Sequence, residues 1–321
     1  MSQNLPFYKQ AIAANVGELI LDRLKDPLVK DIMLNENGYL FEDVIGVGFR
    51  EIGMLDAKTA EAFLLSVAAF MGRELNYYNP RLRGSLPKDR PFHGERIEAM
   101  IYPVVEAPTF AIRKPMIKDM DLDDYVGAGQ LSSSQLVAID TAILEKKTIL
   151  VVGGPGSGKT TLLNAIIKRI VELDSKCRLY IIQDAREIKS DHKNATFPST
   201  TETLNMDDLL ESGMRYNPTR LVVGELIGKE CFTFMAATNT GQRGAVSTIH
   251  ANSPSDGLLR LCTLLETHGY KISKADIAAQ INVLIFIERD LGEPKVKSIG
   301  LVEGYNAQHD KFLVNERLFG S

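Results

Sequence analysis

Residues Gly153–Thr160 have the types and the spacing of a phosphate-binding loop. The segment reads Gly-Gly-Pro-Gly-Ser-Gly-Lys-Thr and satisfies the pattern G-x-x-x-x-G-K-[ST]. In such a loop the glycines let backbone N–H groups converge on phosphate oxygens, and the positive end of the following helix adds to the attraction. The pattern predicts a site for ATP and Mg²⁺, with Lys159 on the β- and γ-phosphates and the Thr160 hydroxyl on Mg²⁺. The predicted nucleotide-binding residues are Gly153, Gly154, Pro155, Gly156, Ser157, Gly158, Lys159, Thr160 and Thr161.

Polar residues also follow three apolar runs that read as buried strands. Glu225 comes after Leu221–Val223 and a glycine, Gln183–Glu187 comes after a second run, and His250 ends a third. Hydrolysis of a phosphoanhydride needs a carboxylate that holds Mg²⁺ or orients water, and α/β folds supply such groups from the carboxyl ends of their strands. Taken alone, each has a simpler interpretation: a solvated charge, a charged turn and a structural histidine. Beside a phosphate loop, they predict one site.

The elements that position these residues follow an alternating pattern from residue 131 onward. Apolar runs rich in Val and Ile and bounded by glycines alternate with helical patterns, which indicates a mostly parallel sheet covered on both faces. This predicts a doubly wound α/β domain of the RecA-like P-loop NTPase class over residues 131–321. Strands are expected at 148–152, 179–182, 220–223, 245–249, 283–288 and 296–303, and helices at 132–146, 159–173, 206–214, 229–239 and 255–266.

The first 114 residues predict a smaller α+β domain. Apolar side chains recur at helical spacing over 8–25 and 59–70, and Asp56 is placed to cap the second helix. The clearest strands are expected at 97–105 and 109–113. A loop with a proline, an acidic cluster and two glycines follows, so we predict a linker over residues 115–130.

The composition excludes several classes of protein. The net charge of −4 argues against a strong binder of nucleic acid or another polyanion. The longest apolar stretches fall well short of the roughly 20 residues that span a bilayer, and no signal peptide is evident, so we expect a cytoplasmic protein. Three widely spaced cysteines argue against a zinc site and against a disulfide framework.

The order of the motifs resembles that of the secretion ATPase superfamily. The order is the phosphate loop (Walker A), Gln183–Glu187 (Asp box), Gly224–Leu226 (Walker B) and Gly241–Asn252 (His box). These are the hexameric traffic ATPases of type IV secretion, conjugation, type II secretion and type IV pili. Phe110–Pro115 is similar to the segment that ends their amino-terminal domain. The chain looks closest to the TrbB-type conjugal-transfer ATPases.

The resemblance implies a role for each matching residue. Glu187 would help to organise Mg²⁺ and water, Glu225 would be the general base or the water-orienting carboxylate, and His250 would sense the γ-phosphate. Arg113, and with less support Arg96, would reach the nucleotide from the amino-terminal domain as charge-neutralising guanidinium groups. The alternative for either arginine is a surface ion pair.

The chain departs from the usual motifs at three positions. Gln183 stands where the Asp box usually begins with Glu, Ile227 occupies the place of an arginine that often follows the Walker B glutamate, and Gln242 replaces a His box histidine. These changes bear on the turnover rate and on the positioning of water. Nucleotide binding is unaffected, because the Walker A loop is complete.

The favoured function is a hexameric ATPase motor in a type IV secretion or conjugation apparatus. It would power substrate transfer or pilus biogenesis, together with inner-membrane secretion or pilus components and at the cytoplasmic face of that membrane. Two alternatives stay open. One is a RecA-like nucleic-acid motor, although sequence-specific binding of nucleic acid is not expected, and the other is a nucleotide-gated scaffold with little hydrolysis.

Overall fold

A computed structural model describes residues 5–114, 120–184, 187–201, 203–239, 241, 243–290 and 292–316. The chain divides into two compact units, Met1–Met116 and Ile117–Ser321. Among the described residues, no helix combines the length and the apolar character that crossing a membrane requires.

The first unit is an antiparallel sheet with helices on one face. Its elements are α1 (Leu5–Lys25), β1 (Val29–Leu34), β2 (Tyr39–Val44), β3 (Gly48–Met54), α2 (Ala57–Met71), β4 (Arg81–Ser85), β5 (Arg96–Met100) and β6 (Thr109–Arg113). In the described part of this unit the strand order is β3-β2-β1-β6-β5-β4, and each neighbouring pair is antiparallel. Alternate strand residues such as Ile97 and Ile112 join apolar residues of α1 and α2 in one core. Asp56 caps α2 as predicted, because its carboxylate accepts hydrogen bonds from two backbone N–H groups.

The second unit contains the phosphate loop and a longer series of elements. These are α3 (Leu122–Gly127), α4 (Ser133–Leu144), β7 (Ile149–Gly153), α5 (Lys159–Leu173), β8 (Leu179–Ile182), β9 (Ala195–Thr196), α6 (Met206–Met214), β10 (Arg220–Val223), α7 (Glu230–Asn239), β11 (Val246–His250), α8 (Pro254–Thr267), α9 (Lys274–Gln280), β12 (Val283–Asp290), β13 (Glu293–Asn306) and β14 (Lys311–Asn315).

The sheet of the second unit is covered on both faces, as predicted. Among the described residues its strand order is β14-β13-β12-β7-β11-β10-β8-β9. Pairing is parallel from β12 through β9, whereas β13 and β14 continue the sheet antiparallel. Consecutive residues of β7 enter different cores: Val151 packs in the core that contains α4 and α5, and Val152 packs in the core that contains α7 and α8. Two helical layers therefore enclose the parallel strands.

The structure corrects the predicted linker and one predicted strand of the first unit. Within the expected linker, residues 115–119 lie outside the described residues, but Leu122–Gly127 forms helix α3, whose Leu122 and Tyr125 are buried in the core of the second unit. The Asp121 side chain starts this helix through a capping box. The strand expected at 97–105 ends at Met100, because a turn follows and Pro103 has no N–H group to donate.

Candidate active site

The carboxyl ends of four parallel strands lie along one edge of the second unit's sheet. Strands β7, β11, β10 and β8 are neighbours in that order. The register places His250 of β11 opposite Gly153 of β7. The Thr248 hydroxyl on β11 donates a 2.8 Å hydrogen bond to the carbonyl of Gly224, the residue before Glu225. The phosphate loop, His250 and Glu225 therefore come together at this edge, with Gln183 one strand further along.

The conformation of the phosphate loop requires glycine at positions 153 and 158. A Cβ atom on Gly153 would lie 2.3 Å from the carbonyl oxygen of Ile287, so no larger residue fits there without a shift of backbone. Gly158 has a φ angle of 99°, which L side chains rarely adopt. Above Gly154, in contrast, a Cβ atom would meet nothing within 4 Å. The loop is thus tightly fixed against β12 and open on its other side.

The start of α5 fits an anionic group. Gly158 caps this helix without a side-chain hydrogen bond in the described structure, whereas side chains cap α2, α3, α4, α6, α8 and α9. The buried Ser157 Oγ has no hydrogen-bond partner among the described residues. Uncapped N–H groups and a hydroxyl at the positive end of a helix suit a phosphate. For Mg²⁺, the Thr160 hydroxyl and the Glu187 carboxylate are oxygen ligands of the kind this cation prefers, and Mg²⁺ usually takes few ligands from the protein.

Lys159 is buried at the centre of the site. Its Nζ donates to the carbonyl oxygens of Gly153 and Gly154, both at 2.9 Å, and lies 2.9 Å from His250 Nδ1. Burial lowers the pKa of Lys159 to about 8, although the nearby Glu225 carboxylate favours the charged form. The lysine is therefore held by weak, neutral acceptors that the oxygens of a phosphate can replace.

His250 connects Lys159 to Glu225. Because Lys159 donates to Nδ1, the ring proton must lie on Nε2, which is 2.6 Å from Glu225 Oε1. Glu225 Oε1 makes no hydrogen bond of good geometry among the described residues, so this is a close polar contact. The two short distances place three predicted site residues in one chain of polar contacts.

The other described residues of the predicted motifs in this unit contact different partners. Glu187 is half-buried and lies beyond the end of β8, where its backbone carbonyl accepts a hydrogen bond from Asn164 of α5. Asp184 accepts a hydrogen bond of 2.5 Å from the Thr200 hydroxyl. Ile227 is exposed, and its N–H donates to the Glu230 side chain. Ala185, Arg186, Thr240 and Gln242 lie outside the described residues.

Arg96 and Arg113 belong to the first unit and lie side by side there. They are opposite each other on the antiparallel strands β5 and β6. Their neighbours Ile97 and Ile112 are core residues, so the two arginines are on the sheet face away from the helices. Arg113 Nε donates to Asp31 at 2.7 Å while its side chain stays 69% exposed. The alternative of a surface ion pair is thus realised for Arg113, and the nucleotide role of either arginine stays a prediction.

Arg289 contacts the phosphate loop and was not predicted from the sequence. Its Nε donates a 2.8 Å hydrogen bond to the carbonyl of Gly156, and its Nη1 donates to the carbonyl of Gly292. The C=O and N–H of a trans peptide point in opposite directions, so a fixed Gly156 carbonyl also fixes the Ser157 N–H. No local pattern could reveal this contact, because 133 residues separate Arg289 from Gly156.

Comparisons with known proteins identify relatives of this chain. Residues 95–291 match the family described as Type II/IV secretion system protein. The chain is 35% identical over 295 residues to the conjugal transfer protein TrbB of Rhizobium radiobacter, covering 92% of this chain and 90% of that protein. It is 30% identical over 302 residues to the type IV secretion system protein PtlH of Bordetella pertussis, covering 83% and 87%.

A solved structure shares the fold. The pilus retraction motor PilT, crystallised with ADP, matches with a TM-score of 0.66 at 17% identity, covering 90% of this chain and 83% of that chain. At this identity the likeness concerns the fold alone. It confirms the predicted class, a RecA-like P-loop domain preceded by a smaller α+β domain.

Proposed function

The chain belongs to the Type II/IV secretion system protein family, as a TrbB-like member of its type IV secretion and conjugal transfer ATPases, and from this membership we propose that it is a Mg²⁺-dependent, ATP-hydrolysing motor. The motor powers substrate transfer or pilus biogenesis in a type IV secretion or conjugation apparatus. One observation carries the proposal: the Lys159 ammonium, beside a complete phosphate loop, is 2.9 Å from His250, which is 2.6 Å from Glu225.

In the proposed reaction the oxygens of the β- and γ-phosphates of ATP accept the hydrogen bonds that the Lys159 ammonium now donates to protein groups. Phosphate oxygens are stronger acceptors than the Gly153 and Gly154 carbonyls, because the hydrogen bond then joins two charged groups. His250 then loses its hydrogen bond to Lys159, and its ring can contact the γ-phosphate and so sense its presence. Glu225 orients a water molecule and takes its proton as the water oxygen attacks the γ-phosphorus and the bond to ADP breaks.

Mg²⁺ and two arginines are the remaining groups that the resemblance assigns to the nucleotide. Thr160 and Glu187 are the residues assigned to Mg²⁺, which when bound offsets the negative charge of the phosphates. Arg113 and Arg96 add guanidinium groups that neutralise charge on the nucleotide, the role that the resemblance implies. Arg96 and Arg113 are opposite each other on β5 and β6. This pairing supports the proposal that both bind the same ligand, since one ligand can engage two neighbouring guanidinium groups.

The proposed assembly is a hexameric ring. This stoichiometry rests on the resemblance, and a heterologous interface that closes on itself produces such a ring. We place the ring at the cytoplasmic face of the inner membrane, where its partners are the membrane components of a secretion or pilus apparatus.

The test is steady-state ATP hydrolysis by the purified protein, with its molar mass measured by light scattering in the same buffer. We expect slow Mg²⁺-dependent turnover by a species of ring size. Tight ATP binding without turnover would contradict the motor and favour the nucleotide-gated scaffold. Turnover that requires DNA, with salt-dependent DNA binding, would favour the RecA-like nucleic-acid motor.

We expect Arg289→Ala to weaken ATP binding about tenfold, the effect of losing one charge-assisted hydrogen bond at an exposed site. The substitution frees the Gly156 carbonyl and loosens the loop. Titration with a fluorescent ATP analogue measures the change. Arg289→Lys keeps the charge but loses the two-pronged contact, so it should restore only part of the affinity. Full restoration by lysine would show that charge alone matters, and unchanged affinity in the alanine variant would refute the role of Arg289.

A further inference from the structure

Two buried amide side chains hold the backbone that carries Glu187. Gln183 follows β8 and is 3% exposed, and Asn164 lies in α5 and is 7% exposed. Gln183 Oε1 accepts the Ile188 N–H at 2.7 Å, and its Nε2 donates to the Ile188 carbonyl at 3.4 Å. Asn164 Oδ1 accepts the Lys189 N–H at 3.0 Å, and its Nδ2 donates to the Glu187 carbonyl at 3.3 Å. We call these two side chains and the backbone of residues 187–189 the amide clamp.

The amide clamp supplies the backbone hydrogen bonds that neighbouring strands supply in a sheet. Polar backbone groups of successive residues in an extended segment point to opposite sides. Gln183 satisfies both polar groups of Ile188 on one side, and Asn164 satisfies the flanking groups of Glu187 and Lys189. Residues 187–190 belong to no helix or strand, so their backbone groups depend on these side-chain hydrogen bonds. The segment is thereby fixed in position although it lies outside regular structure.

The clamp connects Glu187 to the phosphate loop through a rigid element. Asn164 is four residues after Thr160, about one turn along the same helix. The first turn of α5 therefore carries Lys159 and Thr160. Its second turn carries Asn164, which holds the backbone of Glu187. Gln183 adds a second anchor directly after the carboxyl end of β8. A displacement of about 1 Å in a reacting group can cost on the order of a hundredfold in rate, so such support matters for catalysis.

We propose that Asn164 and Gln183 are positioning residues that hold the Glu187 carboxylate in place for Mg²⁺, an inference that rests on the proposed function. The proposal also accounts for Gln183, which stands where the resemblance predicts a glutamate. A carboxylate could accept the Ile188 N–H but could not donate to the Ile188 carbonyl, and its charge would be buried. Here the amide is what the neighbouring backbone requires.

The first test compares Asn164→Ala with Asn164→Asp. Alanine removes both hydrogen bonds, whereas aspartate keeps the acceptor for the Lys189 N–H, loses the donor to Glu187 and adds a buried negative charge. For Asn164→Ala we expect a kcat about tenfold lower or more, and a higher Mg²⁺ concentration for half-maximal rate. The Kd for ATP measured in EDTA should change by less than about twofold, because the phosphate loop is untouched. An unchanged kcat and Mg²⁺ dependence in a folded variant would overturn the proposal.

A double-mutant cycle separates positioning from general stability. If Asn164 acts through Glu187, then Asn164→Ala should lower kcat little further in a Glu187→Gln background. Independent, multiplicative losses would mean that Asn164 does not act through Glu187. Gln183→Glu serves as a second probe with a nearly isosteric side chain. It is expected to lower kcat and raise the Mg²⁺ requirement in the same way, and wild-type behaviour would contradict the assignment of Gln183.

Hydrogen exchange tests the clamp without ATP turnover. In the nucleotide-free protein we expect the Lys189 amide to exchange faster in Asn164→Ala and to keep its protection in Asn164→Asp. This readout distinguishes two failures. A wild-type protein without ATPase activity would refute the proposed function, whereas equal exchange in all three proteins would refute the clamp. Thermal unfolding of each variant identifies any that do not fold, and Gln183→Glu then carries the test.

Discussion

Replacing Lys159 with alanine is expected to abolish measurable ATP binding, and hydrolysis with it. The buried ammonium lies at the carbonyl groups of Gly153 and Gly154, where the phosphates are expected. Loss of one partner from a buried charged pair costs about 3–5 kcal/mol, equivalent to a factor of roughly 10² to 4 × 10³ in affinity. Isothermal titration with ATP and Mg²⁺ measures the loss.

The control for this variant is Lys176→Ala, which removes an exposed lysine from the same unit just after α5. It should bind ATP as the wild type does. Wild-type affinity in Lys159→Ala would refute the assignment of the phosphate loop, and a loss of affinity in both variants would point to a general effect of charge.

The pH dependence of ATP affinity provides a related prediction. Burial gives Lys159 a pKa of about 8 in the nucleotide-free protein, and phosphate binding must raise it, because the phosphates stabilise the ammonium. ATP binding is then accompanied by proton uptake above that pH. Affinity should be level below pH 8 and fall up to about tenfold per pH unit above it. Titrations between pH 7 and pH 9.5 measure the dependence, and a flat profile would contradict the burial of a functional ammonium.

Substituting Glu225 with glutamine should separate ATP binding from hydrolysis. Glutamine keeps the size of the side chain and an oxygen near His250 but cannot accept a proton from water. Loss of a general base lowers rates by about 10² to 10⁴. We therefore expect ATP affinity near that of the wild type and turnover reduced by that factor, measured by phosphate release in single-turnover conditions.

A matched control for Glu225 is Glu211→Gln, which changes an exposed glutamate of α6 in the same unit. Its turnover should equal that of the wild type. Turnover of Glu225→Gln at the wild-type rate would mean that another group activates water. If the variant lost ATP binding as well, Glu225 would instead have a structural role through its contact with His250.

Much of the second unit could be predicted because its signals are local. The loop Gly153–Thr160 and the helix after it are contiguous in sequence, and buried strands such as β8 and β10 are short apolar runs bounded by turn residues. The predicted helix at 206–214 matches α6 in both bounds. In the first unit the signals are weaker, and the hairpin of β2 and β3 was not predicted, since β3 has no fully buried residue to produce an alternating pattern.

The same limit applies to single residues of the site. The sequence identified Glu225, His250 and Glu187 by the strand ends that they follow. It interpreted Gln183 as the loss of a carboxylate, whereas the structure shows a buried amide that satisfies the backbone of Ile188. No sequence pattern indicated Asn164 or Arg289. Their partners are distant in sequence, and because those partners are backbone groups, they do not depend on the type of residue.

The sequence by itself determined the phosphate loop, the family resemblance and most of the elements that carry the candidate site. Glycine spacing, apolar periodicity and capping residues act over a few positions, so they can be interpreted without a partner. Only the tertiary structure decided which strand ends are neighbours. The adjacency of β7 and β11 brings Lys159 to His250, and the adjacency of β11 and β10 brings His250 to Glu225. Both adjacencies follow from strand order and from the packing of two cores. These are non-local contacts, and the local pattern of a strand does not specify which strand lies beside it.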